Sequence, residues 1–189
     1  HNKISDAGAK ALAESRFVQN VSYLMLEANQ IGMNGVKSFA TSLNLKNLET
    51  LFLDSNPIGP EGAEALAKSK YLPSLTALHM DSTGIGDQGV KAIATSQTLT
   101  KLEKLYLCSN KIGDEGAIAL SQSSNLSHLN CLSIWRNEIR DAGGKAIAES
   151  NYFLKLERLY MSLNLIDKPT RKVIRSSDLA SRLKTLVMD

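Results

Sequence analysis

Apolar residues recur along the chain in a nine-residue pattern, LxxLxLxxN, that starts at Val21, Leu48, Leu75, Leu102, Leu129, Leu156 and Leu183. Each start lies 27 residues after the last, and no insertion breaks the register through VSYLMLEAN, LETLFLDSN, LTALHMDST, LEKLYLCSN, LNCLSIWRN, LERLYMSLN and the truncated LKTLVMD. Within a segment apolar positions alternate with others, as at Leu105 and Leu107, which predicts a short strand with one buried face. Downstream, GAKALAES, GVKSFATS, GAEALAKS, GVKAIATS, GAIALSQS and GGKAIAES place small and aliphatic residues at helical spacing, so each repeat reads as a strand followed by a helix. Asp6, Asp87, Asp114 and Asp141 share the position that opens the helix, where an acid is expected to serve its own helix through capping and the dipole. Pro60 holds the same position in its repeat and suits a first turn.

A fixed period of this kind predicts a solenoid. Parallel strands stack at about 4.8 Å, whereas neighbouring helices need about 8 to 10 Å, so strands must line the inside of an arc and helices the outside. Seven strands give an inner wall about 29 Å long. On these residues the chain resembles the leucine-rich repeat family, specifically its ribonuclease-inhibitor-like class with a helix in every repeat. The alanine-rich runs from Gly8 to Ala13 and from Gly62 to Ala67 also resemble the GALA variant of bacterial effector proteins. The resemblance spans the chain and implies an α/β fold, a single domain over residues 1–189 with an atypical repeat or cap at 168–189, and a rigid concave sheet presented to a partner.

The stretch NKIGDEGAIAL, residues 110–120, could by itself be a phosphate-cradling turn or the start of a carboxylate metal site. Its recurrence removes both readings. Asn2, Asn29, Asn56, Asn110, Asn137 and Asn164 sit where the chain leaves the strand, and a buried turn needs side-chain amides to satisfy its backbone groups. Thr83 replaces Asn in one repeat and predicts a weaker rung. Gly32, Gly59, Gly86 and Gly113, each followed by a second glycine at Gly35, Gly62, Gly89 and Gly116, read as tight turns and close helix packing instead of a phosphate clamp. The first glycine is missing at Ser5, Arg140 and Asp167. Ala117 to Leu120 are expected to face the core.

With 43% apolar residues in 189 and a net charge of only +3, the chain can bury a core and has no need of nucleic acid. Neither a membrane span nor a signal peptide is visible. Cys108 and Cys131 stand four strand residues out of step, about 13 Å along the strand axis, too far for a disulfide. Free thiols favour a reducing, cytoplasmic or intracellular compartment, or, on the GALA likeness, secretion by a bacterium into a host cell.

Because repeated positions build the scaffold, specificity is expected at positions that vary while pointing to solvent, namely the third, fifth, seventh and eighth of each segment. There the chain places Tyr23, Met25, Phe52, Asp54, His79, Asp81, Tyr106, Trp135, Arg136, Arg158 and Tyr160 as candidate partner-binding residues. Five of the ten aromatics fall on these positions, and aromatics with arginine dominate binding hot spots. Phe52, His79 and Tyr106 are lateral neighbours, with Trp135 expected near Tyr106 and Tyr160. Glu27, Asp54 and Asp81 mark one end and Lys104, Arg136 and Arg158 the other, a polarity that would orient a ligand. The expected function is non-catalytic binding of another protein on the concave face, with no catalytic residues, metal, cofactor or small-molecule substrate. His79, Asp81 and Cys108 could form a nucleophile and base only within hydrogen-bond reach, and adjacent backbone positions about 8 Å apart make that a poor arrangement. Two alternatives stand beside this reading. One is a recognition domain of a larger enzyme. The other uses a single basic final helix, Lys168 to Lys184 with net charge +5, to bind an acidic partner, RNA or anionic lipid, although nucleic acid and membrane are disfavoured.

Overall fold

A computed structural model describes residues 2–189. Seven three-residue strands, β1 (Tyr23–Met25), β2 (Thr50–Phe52), β3 (Ala77–His79), β4 (Lys104–Tyr106), β5 (Cys131–Ser133), β6 (Arg158–Tyr160) and β7 (Thr185–Val187), pair in sequence order into one open parallel sheet. The register is the repeat itself: Leu51 lies opposite Leu78, Leu78 opposite Leu105, and Leu105 opposite Leu132. Helices α1 (Asp6–Glu14), α2 (Met33–Ala40), α3 (Gly59–Ala67), α4 (Gly86–Ala94), α5 (Asp114–Ser121), α6 (Asp141–Ala148) and α7 (Lys168–Arg175) alternate with the strands, and α8 (Asp178–Arg182) precedes β7. The chain is therefore an α/β leucine-rich repeat solenoid, with the apolar positions of each strand and helix packed into one continuous core. Leu48, Leu51 and Leu53 are fully buried from the strand side, and Val36, Phe39 and Leu66 from the helix side. In the stretch that contains Asn110, only Ala117 and Leu120 of the four expected core residues are buried; Ile118 and Ala119 are half-exposed, because a helix packed on one side of the sheet buries only one face.

Three ladders of hydrogen bonds tie the repeats together. The first is the expected asparagine ladder. Asn137 Oδ1 accepts from the backbone N–H groups of Asn110 at 2.8 Å and Ile112 at 3.1 Å, while its Nδ2 donates to Leu107 O and Ile134 O, both at 3.0 Å. Thr83 is the weaker rung that its single donor predicts. Its hydroxyl donates to Met80 O at 2.7 Å within its own repeat, and Ile58 N–H, which an asparagine would have taken, turns to Asn56 O at 2.9 Å.

The second ladder runs along the helix C-termini. Ser42, Ser69, Ser96, Ser123 and Ser150 each donate from Oγ to a carbonyl one repeat earlier, at Ala13, Ala40, Ala67, Ala94 and Ser121, over 2.5 to 2.6 Å. Carbonyls at a helix end lack intrahelical donors, and these serines supply them.

The third ladder corrects the expected role of the aspartates, whose carboxylates serve the next repeat. Asp6 Oδ1 accepts from Gly32 N–H at 2.6 Å, Asp87 Oδ1 from Gly113 and Gly116 at 2.7 and 2.9 Å, Asp114 Oδ1 from Arg140 and Gly143 at 2.9 and 2.8 Å, and Asp141 Oδ1 from Asp167 at 2.9 Å. This staple also accounts for the irregular first glycine. Where an aspartate reaches across, the receiving residue is not left-handed, with φ of −99° at Gly32, −98° at Gly113, −105° at Arg140 and −73° at Asp167. Where Met33 or Pro60 stands instead, Gly59 and Gly86 take φ of +68° and +55° and send their N–H groups to Thr83 O and Asn110 O. Among the first-glycine positions, only those two need a glycine for its backbone freedom.

The basic segment is not one helix. It breaks at Ser176 and Ser177, where the Ser177 hydroxyl accepts from Ala180 N–H at 3.2 Å and starts α8, while Asp167 caps α7 by accepting from Thr170 N–H at 2.7 Å. Arg175 Nη2 donates to Met188 O at 2.8 Å, tying α7 to the end of the sheet.

Candidate functional site

The face of the sheet turned away from the helices carries rows of side chains from the third, fifth and seventh positions, with the eighth position beside them. The fifth positions build the most ordered row. The rings of Phe52 and His79 stack with centroids 4.1 Å apart, and those of His79 and Tyr106 with centroids 4.2 Å apart and planes 14° apart. A strand spacing of about 4.8 Å is close to the thickness of stacked rings, so aromatic residues in one lateral row must meet face to face. Met25 extends the row to the edge strand, where it is 65% exposed beside Tyr23 at 59%. Ser133, small and buried, ends the row; Tyr160 follows one strand beyond. Trp135 is 39% exposed but enters no ring stack among the described residues. Trp135 belongs to the seventh row, two residues beyond Ser133 at the end of its strand.

The third positions were expected to point to solvent throughout. Thr50, Ala77 and Cys131 are instead buried at 7%, 5% and 1%, overshadowed by larger neighbours, while Tyr23 and Lys104 are exposed and Arg158 half-buried. Over Cys131, the thiol donates to Tyr106 Oη at 3.6 Å. Arg158 Nη2 donates to Asn130 Oδ1 at 3.3 Å and its Nε is buried without a partner. Asn130 was not legible as a site residue, because its repeat position otherwise holds Glu, Thr, Ser and Lys with no common chemistry. Arg136 stands exposed at the eighth position with φ of +55°.

In the seventh row, Asp54 Oδ1 accepts from Asp81 N–H at 2.6 Å, and Asp81 Oδ1 accepts from Cys108 N–H at 2.7 Å. Burial pushes the Asp54 carboxyl up to about 6, helped by the neighbouring carboxylates of Asp81 and Glu27 and opposed by the Asp81 N–H. Burial also raises Asp81. Burial lowers His79, with Glu27 pulling it up and Lys104 pushing it further down. Cys108 is pushed up to about 11, chiefly by burial, and its Sγ lies 3.0 Å from Ser133 Oγ. That thiol is protonated and turned to a serine, and the imidazole is clamped between two rings, so the nucleophile and base that His79 and Cys108 could have formed are not assembled. Both cysteines are free and buried. Among the described residues no three His, Cys, Asp or Glu side chains are grouped to hold a metal, and no helix is long and apolar enough to cross a membrane.

The raised Asp54 has a measurable consequence. Folding moves its carboxyl from an ordinary value to about 6, so its contribution favours the fold below the unfolded value and is lost as pH rises through 6. Asp54→Asn keeps the acceptor for Asp81 N–H and removes the charge. At pH 7.5 it is expected to gain about 1 kcal/mol, discounted because water reaches part of the carboxyl. Thermal melts at pH 7.5 and pH 4.5 check this, with most of the gain gone at the lower pH.

Comparison with known proteins agrees with this architecture. A family model described as a leucine-rich repeat matches residues 1–13, 44–67, 71–94, 98–121 and 125–148, more than half of the chain. Among solved structures, an internalin from Listeria monocytogenes matches with a TM-score of 0.60 at 20% identity, over 93% of this chain and 46% of that one. The chain thus spans less than half the length of that structure, and the likeness is one of fold. No curated protein sequence matches the chain. With 27-residue repeats, an asparagine ladder and a seven-stranded parallel sheet in place, the chain belongs to the leucine-rich repeat family.

Proposed function

We propose that this protein is a non-catalytic binding module whose partner, another protein, docks on the sheet face. Leucine-rich repeat domains are in general protein-interaction modules. The observation that carries the finer reading is the lateral row Met25, Phe52, His79 and Tyr106. It is continuous across four strands, with a fully buried core of leucines beneath that needs nothing from it. A contiguous open apolar row, rimmed by charged groups, is the form an interaction surface takes. Tyr23, Trp135, Tyr160, Arg136 and Arg158 extend it, and Asp54 and Asp81 give it a polar margin.

Residues 1–189 form one binding unit in this proposal, with 168–189 as its C-terminal cap. The hydrogen bond from Arg175 to Met188 O supports the capping role, because it engages one of the basic groups that an acidic partner, RNA or lipid would need. The GALA-like helices support action as a bacterial effector on a host protein, in a reducing compartment that suits two unpaired thiols. If the chain serves a larger enzyme, the same face is its recognition surface.

The test compares pull-downs with the wild type, Tyr106→Ala/Trp135→Ala, and Lys91→Ala/Lys145→Ala on the outer helices. Loss of partners with the aromatic pair and retention with the lysine pair is expected, at unchanged melting behaviour for the helix variant. Partners that survive the aromatic substitutions and vanish with the helix ones place the site elsewhere.

A further inference from the structure

The sheet face holds charges that the molecule itself does not balance. All the ion pairs among the described residues lie elsewhere, at Lys10 with Glu14, Lys68 with Glu64, Lys91 with Glu115, and Lys184 with Glu157. Glu27, Asp54 and Asp81 stand side by side in the seventh row without a cation, and Asp54 and Asp81 each commit one oxygen to a backbone N–H. Partly desolvated like charges in one row repel each other, and a cation brought from outside removes that repulsion.

The opposite sign appears across the ring row. Lys104 and Arg158 flank Cys131 from the two neighbouring strands. The small buried thiol separates them and donates to the Tyr106 hydroxyl, whose own proton stays free to donate outward. Arg158 makes one long bond to Asn130 and leaves Nε unpartnered. Glu157, its neighbour in sequence, is held by Lys184 at 2.7 Å, and Glu103 is exposed beside Lys104.

We propose that the partner presents a segment of opposite charge at its two ends: a lysine or arginine seated on the Asp54 and Asp81 carboxylates, and an aspartate or glutamate seated between Lys104 and Arg158. This rests on the docking reading above and names the chemistry of what docks. Four residues along a strand and two and a half strands across separate the subsites by about 18 Å, the reach of about five residues of extended chain. The residues between the two charges cross the ring row at His79 and Tyr106 and are apolar. Fixed polarity at both ends admits one direction of binding and penalises the reverse.

The probe is a displayed library of random 15-residue peptides selected on the wild-type protein, followed by synthesis of the enriched sequences. Enriched peptides are expected to pair Lys or Arg with Asp or Glu about five residues apart, in one order. A synthetic peptide with the order reversed binds at least about tenfold more weakly. Asp54→Asn/Asp81→Asn, which keeps both backbone acceptors, weakens the original by a similar factor. Peptides indifferent to charge order and to those two substitutions, yet lost with Tyr106→Ala/Trp135→Ala, overturn this inference and leave the docking face standing. Peptides lost only with Lys91→Ala/Lys145→Ala, or a library that yields none, overturn both.

Discussion

Asn137→Ala is expected to lower the unfolding free energy by about 3 kcal/mol, from three backbone groups left without partners at about 1 kcal/mol or more each. The amide is 6% exposed, so water cannot replace what is removed. Two N–H groups of the preceding turn, at Asn110 and Ile112, lose their acceptor, and the Leu107 carbonyl loses its donor, while Ile134 O keeps the amide of Asn164. A domain of this size holds about 5 to 15 kcal/mol in total, so the loss is a large share of it. Because each repeat contacts only its neighbours, the damage should first open the junction between the repeats of β4 and β5. Urea unfolding followed by circular dichroism reads the loss, and Thr83→Ala provides the contrast. Its hydroxyl makes no bond to the preceding repeat, so about 1 to 2 kcal/mol is expected. Equal losses in the two variants would contradict the ladder account.

Gly143→Ala is expected to cost about 2 to 3 kcal/mol, although alanine is the better helix former by about 1 kcal/mol. A Cβ there meets Asp114 Oδ1 at 2.6 Å, Ala117 Cβ at 2.9 Å and Ile139 Cγ2 at 2.9 Å. The carboxylate oxygen is the one that Gly143 N–H and Arg140 N–H share, so the methyl group pushes apart two helices and breaks the staple together. Gly144→Ala, one residue on, meets the tips of Ile166 and Ile174 at 2.8 and 3.1 Å; those can turn aside, and a smaller loss follows. Combining Gly143→Ala with Asp114→Ala should give less than the sum of the two single losses, since both act on one contact. Additive losses would show that the carboxylate and the glycine do not depend on each other.

The period, the strands, the helices and the asparagine ladder are legible in the sequence because each is a local pattern repeated at a fixed interval. The aspartate staple is not, because its partners are 26 and 29 residues away and a local reading assigns an acid at a helix start to that helix. The serine ladder was visible as a serine every 27 residues from Ser15 to Ser177, but surface-type residues at helix ends carry no signal of burial until the next repeat covers them. On the sheet face, the lateral meeting of Phe52, His79 and Tyr106 followed from the register alone. The burial of Thr50, Ala77 and Cys131 did not, since it depends on how far neighbouring side chains lean. Ser177 and Asp178 carry the helix-start signal that splits the basic segment, which charge counting overlooked.

The central claim is that the partner lies on the sheet face. Hydroxyl-radical footprinting of the protein, alone and with a partner recovered by pull-down, tests it most directly. Reduced oxidation of Met25, Tyr106, Trp135 and Tyr160 in the complex, with Tyr152 and Leu154 beside the outer helices unchanged, is the result expected. Protection of Tyr152 and Leu154 with Met25 and Trp135 still freely oxidised would contradict it.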